Sequence, residues 1–194
     1  MTASRRINDL ADVVRLLNDG SVVAIPTESF FALAARIDRP EALMQLAELK
    51  RGRQQPIGLI AADTAAVEPL VADISRTARQ LIDDYWPGPL TVVFQATLTL
   101  SDILTAGTDT IGIRVPADPL LQQLLRSTGP LTATSANRPG EPPAVTVEAV
   151  EAAFPDLPVW SIVKQAPGGL PSTVVDARGV TPRVIRAGAV PLDL

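Results

Sequence analysis

A chain of 194 residues with 46% hydrophobic and 20% charged side chains has the size and balance of one globular domain, 1–194, and not of a disordered tract. With no cysteine and no histidine it excludes disulfides, thiolate nucleophiles, Ser-His-Asp triads and imidazole-ligated zinc. A net charge of −4 and a pI near 4.8 exclude a globally basic nucleic-acid binder.

In chain order, Ile7, Leu10, Val13, Val14 and Leu17 recur at helical spacing, and Asn18-Asp19-Gly20 supplies a stop. Residues 21–25 read as a short buried strand ended by Pro26. Asp38 can cap a helix over 39–50, with Pro40 near its first turn. Residues 57–62 have strand length, and helical stretches over 64–71 and 75–85 run up to the breaker Trp86-Pro87-Gly88-Pro89. Strands are predicted over 90–95, 111–115 and 131–134, with a helix over 117–126 between the last two. A helix over 146–154 precedes strands over 159–163, 173–176 and 184–186. The alternation predicts an α/β fold, with a mixed sheet because the last strands come without long helices between them. The Pro-rich segment 138–143 reads as a stiff loop inside the domain. Residues 1–6 lack a following apolar segment and no stretch of 18 apolar residues occurs, so a cytoplasmic protein with no membrane partner is expected.

Without imidazole or thiol, the chemistry falls to arginine, lysine, carboxylates, hydroxyls and backbone amides. All of the 17 cations except Lys50 and Lys164 are arginine, whose planar fork grips phosphate or carboxylate in two places. In an open α/β sheet, functional groups gather at strand ends, and four segments meet that criterion. Pro26-Thr27-Glu28-Ser29 clusters two hydroxyls and a carboxylate after a strand, as either a site or a turn cap. Lys50-Arg51-Gly52-Arg53 sets three cations in four residues, as a helix terminus or an anion clamp. Ile111-Gly112-Ile113-Arg114-Val115-Pro116 places an arginine in an apolar strand, where it should meet a carboxylate of the protein or of a substrate. Thr132-Ala133-Thr134-Ser135-Ala136-Asn137 ends a strand in small hydroxyl and amide residues suited to phosphate or ribose. Pro171-Ser172-Thr173 and Arg186-Ala187-Gly188 are weaker signals of the same kind. Neither GxxxxGK[ST] nor GxGxxG occurs, and no acidic cluster has metal-ligand spacing.

Taken in this order, over about residues 7–188, these segments resemble the YrdC-like family of threonylcarbamoyl-adenylate synthases in its short, single-domain form. The resemblance implies a twisted mixed sheet with flanking helices around a large concave cavity. It also implies synthesis of threonylcarbamoyl-AMP and pyrophosphate from L-threonine, bicarbonate or CO2, and ATP, with Mg²⁺ carried on the nucleotide. The product would serve modification of adenosine 37 of tRNA, directly or through a partner complex, and the protein would be a monomer or weak homodimer. By resemblance, Thr27, Arg114 and Ser172 hold threonine, with Arg114 on its carboxylate. Arg51 and Arg53 bind phosphates, or Lys50 serves through a one-residue shift, while Thr110, Ser135, Asn137 and Arg186 line the nucleotide side. No residue is assigned as general acid or base, and no resident metal is expected.

The chain departs from the family pattern at Ser29-Phe30-Phe31-Ala32-Leu33, where Thr-x-Tyr-Gly-Leu is usual, and at Arg51-Gly52-Arg53, where Lys-x-Arg is usual. The competing expectation is a non-catalytic YrdC-like RNA-binding or ribosome-associated paralogue. Carbamoyl-phosphate-using relatives bring metal-binding histidines, which this chain lacks.

Overall fold

The structure, a computed structural model, describes residues 5–51 and 55–192. In chain order its elements are β1 (Arg6–Ile7), α1 (Leu10–Asn18), β2 (Val23–Pro26), β3 (Phe31–Ala34), α2 (Pro40–Leu49) and β4 (Leu59–Ile60). A short 3₁₀ turn (Glu68–Leu70) precedes α3 (Arg76–Tyr85), β5 (Leu90–Gln95), α4 (Asp102–Thr105), β6 (Thr110–Arg114) and α5 (Pro119–Thr128). The chain ends with β7 (Leu131–Thr132), β8 (Thr134–Ser135), α6 (Val147–Ala153), β9 (Val159–Trp160), β10 (Thr173–Asp176) and β11 (Arg183–Arg186). They gather into two compact units, Met1–Arg53 with Leu131–Gly169 and Gln54–Pro130 with Leu170–Leu194.

The first unit carries a sheet in the order β1-β9-β2-β3-β8, with β1, β9 and β2 parallel and β3 antiparallel to both neighbours. Helix α1 begins where the Asp9 carboxylate accepts the Ala11 N–H at 2.6 Å, and its Val13 and Leu17 are fully buried. It stops at Gly20, whose φ of +84° is a left-handed conformation that glycine adopts without penalty. Helix α2 starts at Pro40 behind Arg39, not behind an Asp38 cap, because both Asp38 oxygens are taken by Arg36 at 2.8 and 2.6 Å. Strands β2 and β3 are buried along their whole length. That double burial removes the period-2 pattern, which is why β3 gives no signal in the sequence.

In the second unit the strands lie in the order β11-β10-β5-β6-β4. The β10–β5 and β6–β4 pairs are parallel, and β11–β10 and β5–β6 are antiparallel. Mixed sheets are thus found in both units, as the strand-rich end of the sequence predicts. Helix α3 is capped by Ser75 and buries Ala78, Leu81 and Ile82, while α5 is capped by Asp118 and buries Leu121, Leu124 and Leu125. The helix predicted over 64–71 shrinks to the turn Glu68–Leu70, since Pro69 has no N–H to donate and crowds the preceding turn. No helix among the described residues is long and apolar enough to cross a membrane.

Candidate functional site

In the first unit, β2 ends at Pro26 and the chain loops through 27–30 into β3. Thr27 ties this loop: its Oγ1 donates to the Phe30 carbonyl at 2.7 Å and accepts the N–H groups of Ser29 and Phe30, both at 3.3 Å. The turn is further held by Ser29, whose carbonyl accepts the Gly168 N–H at 2.7 Å. Phe31 is fully buried, so its ring belongs to the core. Its backbone N–H donates to the Ala144 carbonyl, and its own carbonyl accepts from Ala136, which fixes the segment after β8 against β3.

That segment carries Ser135 and Asn137, and Lys50 reaches them from the end of α2. The Lys50 Nζ donates to the Ser135 carbonyl at 3.0 Å, the Asn137 carbonyl at 2.8 Å and Asn137 Oδ1 at 3.1 Å. Lys50 is only 5% exposed, and three oxygens match an ammonium's three protons. Ser135 Oγ also donates to Asn137 Oδ1 at 2.6 Å, and Asn137 Nδ2 donates to the Glu141 carbonyl. Arg51 sits elsewhere: its side chain is 80% exposed and forms an ion pair with Glu48. Of the two described cations in this stretch, Lys50 is therefore the one brought to Ser135 and Asn137. Arg53 lies outside the described residues.

The second unit carries Thr110, Arg114, Ser172 and Arg186, of which Ser172 and Arg186 are in contact. Strand register places Arg186 opposite Val174, Val174 level with Thr91, and Thr91 one step beyond the Val92–Ile113 pair and so level with Arg114. Paired residues share a face, so Arg186, Val174, Thr91 and Arg114 form a row across four strands. At about 4.8 Å per strand, the two arginines stand roughly 14 Å apart at Cα. Arg114 is only 9% exposed, and its Nε donates to the Gly88 carbonyl at 2.9 Å. Gly88 also donates its own N–H to the Val115 carbonyl at 2.8 Å, so the breaker Trp86-Pro87-Gly88-Pro89 is pinned to the end of β6. Thr110 lies four residues earlier on the same face of β6, and its hydroxyl meets that of Thr108 at 2.8 Å.

Arg186 donates to the Ser172 carbonyl at 2.8 Å and to Ser172 Oγ at 3.2 Å. Among the described residues no carboxylate forms an ion pair with it. Surrounding protein atoms lower its pKa from the ordinary arginine value by burial, yet the guanidinium stays charged at neutral pH. A charged fork anchored on neutral oxygens, with no acidic partner, has capacity left for an anionic ligand. Ser172 Oγ also lies 2.8 Å from Thr91 Oγ1. Thr91 and Gly88 lie outside the strand-end segments that stand out in the sequence. Thr91 was detectable as a hydroxyl alternating with the buried Leu90 and Val92, but nothing local to Gly88 shows that its carbonyl receives Arg114. A separate cavity of about 570 Å³, lined by Asp83, Asp84, Tyr85 and Val180 among others, contains none of the residues singled out from the sequence.

The Sua5/YciO/YrdC family model, described as "Telomere recombination", matches residues 15–188. A threonylcarbamoyl-AMP synthase of Yersinia pestis is 40% identical over 157 residues, covering 78% of this chain and 83% of that one. A threonylcarbamoyl-AMP synthase of Vibrio campbellii is 35% identical over 187 residues, covering 94% of this chain and 100% of that one. The crystal structure of P. abyssi Sua5 complexed with L-threonine superposes with a TM-score of 0.87 at 26% identity. It covers 97% of this chain, which spans 58% of the Sua5 chain. With the family model matching most of its length and full-length relatives above 30% identity, the chain belongs to the Sua5/YciO/YrdC family.

Proposed function

We propose that this protein is a threonylcarbamoyl-AMP synthase, joining L-threonine, bicarbonate or CO2, and ATP with release of pyrophosphate. The observation that carries the reading is the row from Arg186 to Arg114, with two guanidiniums on one sheet face and the hydroxyls of Thr91 and Ser172 between them. Such a row suits a ligand with an anionic group at either end, as an amino-acid carboxylate joined to a nucleotide phosphate has. The names of the relatives support synthesis over a non-catalytic RNA-binding role.

In the reaction, the threonine amine adds to CO2 and loses a proton, giving a carbamate. A carbamate oxygen attacks the α-phosphorus of ATP, the bond from that phosphorus to the leaving oxygen breaks, and pyrophosphate departs. Both reactants are anions, so orientation and charge neutralisation matter more than a general base, and a histidine-free chain can supply them. From the second unit we assign Arg114 to the threonine carboxylate, Ser172 to the same ligand, and Thr110 and Arg186 to the nucleotide. From the first unit we assign Thr27 to threonine and Ser135, Asn137 and Lys50 to the nucleotide side. Arg51 and Arg53 are assigned to phosphate, Arg51 after exchanging Glu48 for it. Magnesium is assigned to the ATP complex and treated as part of the substrate. The product is assigned to adenosine 37 of tRNA.

The test is pyrophosphate release from MgATP and bicarbonate, with and without L-threonine. Release that depends on threonine, and a loss of that dependence in Arg114→Ala, are expected. Release indifferent to threonine overturns the reading, as does no release accompanied by salt-sensitive tRNA binding.

A further inference from the structure

We infer that Thr91, seated on Gly112, is a positioning residue that turns Ser172 into a hydrogen-bond donor toward the amino-acid ligand; this rests on the synthase reading above. The two branches of the Thr91 side chain have different partners. Its Oγ1 stands 2.8 Å from Ser172 Oγ, while a Cβ placed on Gly112 would stand 3.2 Å from its methyl Cγ2. The methyl thus lies over the bare backbone of β6, in the space that any other residue at 112 would fill. A β-branched side chain has few χ1 choices, so the methyl on Gly112 directs the hydroxyl toward Ser172.

The proton count at Ser172 gives this geometry its consequence. Arg186, 3.2 Å from Ser172 Oγ, can only donate. With Thr91 also donating, both lone pairs of the serine oxygen are occupied, and its remaining proton is left for an acceptor outside the protein. A ligand carboxylate beside Arg114, level with Thr91 in the sheet, is such an acceptor. Thr91 makes no contact with the ligand in this account and acts through Ser172.

The experiment measures L-threonine binding by calorimetry, and KM for threonine and ATP in the pyrophosphate assay, for wild type, T91V, T91S, G112A and the double variant T91S/G112A. T91V and G112A should each weaken threonine binding by roughly three- to tenfold, the cost of one hydrogen bond, with KM for ATP unchanged. T91S, which keeps the hydroxyl but not the methyl that directs it, should lose less than T91V does. The double variant should recover, since serine has no methyl to meet the new alanine. Wild-type affinity in T91V, equal losses in T91S and T91V, or a matching rise in the ATP KM would overturn the inference while leaving the synthase reading intact. A wild-type protein that neither binds threonine nor releases pyrophosphate would overturn both.

Discussion

The Lys50 ammonium lies 2.8 Å from the Asn137 carbonyl oxygen, across 87 residues of sequence. It joins the end of α2 to the turn after β8 and collects two carbonyls and an amide oxygen at one buried point. Methionine at 50 would keep the packing and remove every donor. Lys50→Met should therefore cost about 2–3 kcal/mol, the range for charge-assisted hydrogen bonds in sealed positions. Urea unfolding measures this. A variant within 0.5 kcal/mol of wild type, a margin set by the usual scatter of neutral surface changes, would show that the ammonium does not clamp the turn.

Arg186 holds the Ser172 carbonyl and hydroxyl with one nitrogen, which leaves the rest of its fork available. Lysine at this position keeps the charge but not the planar set of donors. Arg186→Lys should raise the KM for ATP about tenfold or more, the difference between a bidentate and a point-charge contact of roughly 1.5 kcal/mol. Stability should barely move, because lysine keeps a donor for the Ser172 carbonyl at a position that solvent still reaches. Equal ATP kinetics in wild type and variant would remove Arg186 from the nucleotide side.

Legibility in the sequence followed how locally each feature is determined. Strands β5 and β10 start where the sequence predicts, because Pro89 and Ser172 stand directly before their apolar runs. The cation cluster at 50–53 is equally visible, but which cation turns inward depends on where α2 ends. That helix ends at Leu49, so Lys50 faces the 135–137 turn and Arg51 falls on the Glu48 side. Helix ends are set by capping and tertiary contacts more than by propensity, so a one-residue ambiguity was unavoidable. The Thr91–Ser172 link joins positions 81 residues apart and becomes visible only through the β5–β10 register. The segment 26–29 stands out for its place at a strand end, and in the structure Thr27 also knots that loop.

At the end of β10, the Asp176 carboxylate accepts hydrogen bonds from both Nε and Nη2 of Arg178, at 2.9 and 2.8 Å. The hydrogen bonds from that guanidinium hold its pKa below the ordinary 3.8. A carboxylate whose pKa is depressed in the folded state stabilises it above the unfolded pKa, and that contribution is lost as pH falls through the folded value. Asp176→Asn should cost about 0.5–1 kcal/mol at pH 7, a modest figure because Arg178 is 41% exposed. The gap between wild type and variant should shrink as pH falls below about 4, where the carboxyl of the unfolded chain protonates, and close once the pH is below the depressed folded value. Urea titrations at pH 7 and in strong acid decide this, and an undiminished gap in acid would rule out the ion pair as its source.

Gly188 passes so close to the segment before β10 that a Cβ there would fall 2.3 Å from the Pro171 carbonyl oxygen and 2.6 Å from Ser172 C and Thr173 N. All three are backbone atoms, so no rotamer change relieves the clash. The contact is sealed by the Ala189 N–H donating to Pro171 at 2.9 Å and by Thr173 Oγ1 donating to the Val190 carbonyl at 2.7 Å. Gly188→Ala must push the chain end away from Ser172, the residue on which Arg186 and Thr91 converge. The variant should lose about 2–3 kcal/mol of stability, at the upper end of overpacking costs, and should bind L-threonine more weakly at temperatures where it remains folded. Thermal melting and calorimetry on the same sample separate the two effects. Wild-type threonine affinity in a destabilised Gly188→Ala protein would mean that the chain end supports the fold without setting the position of Ser172.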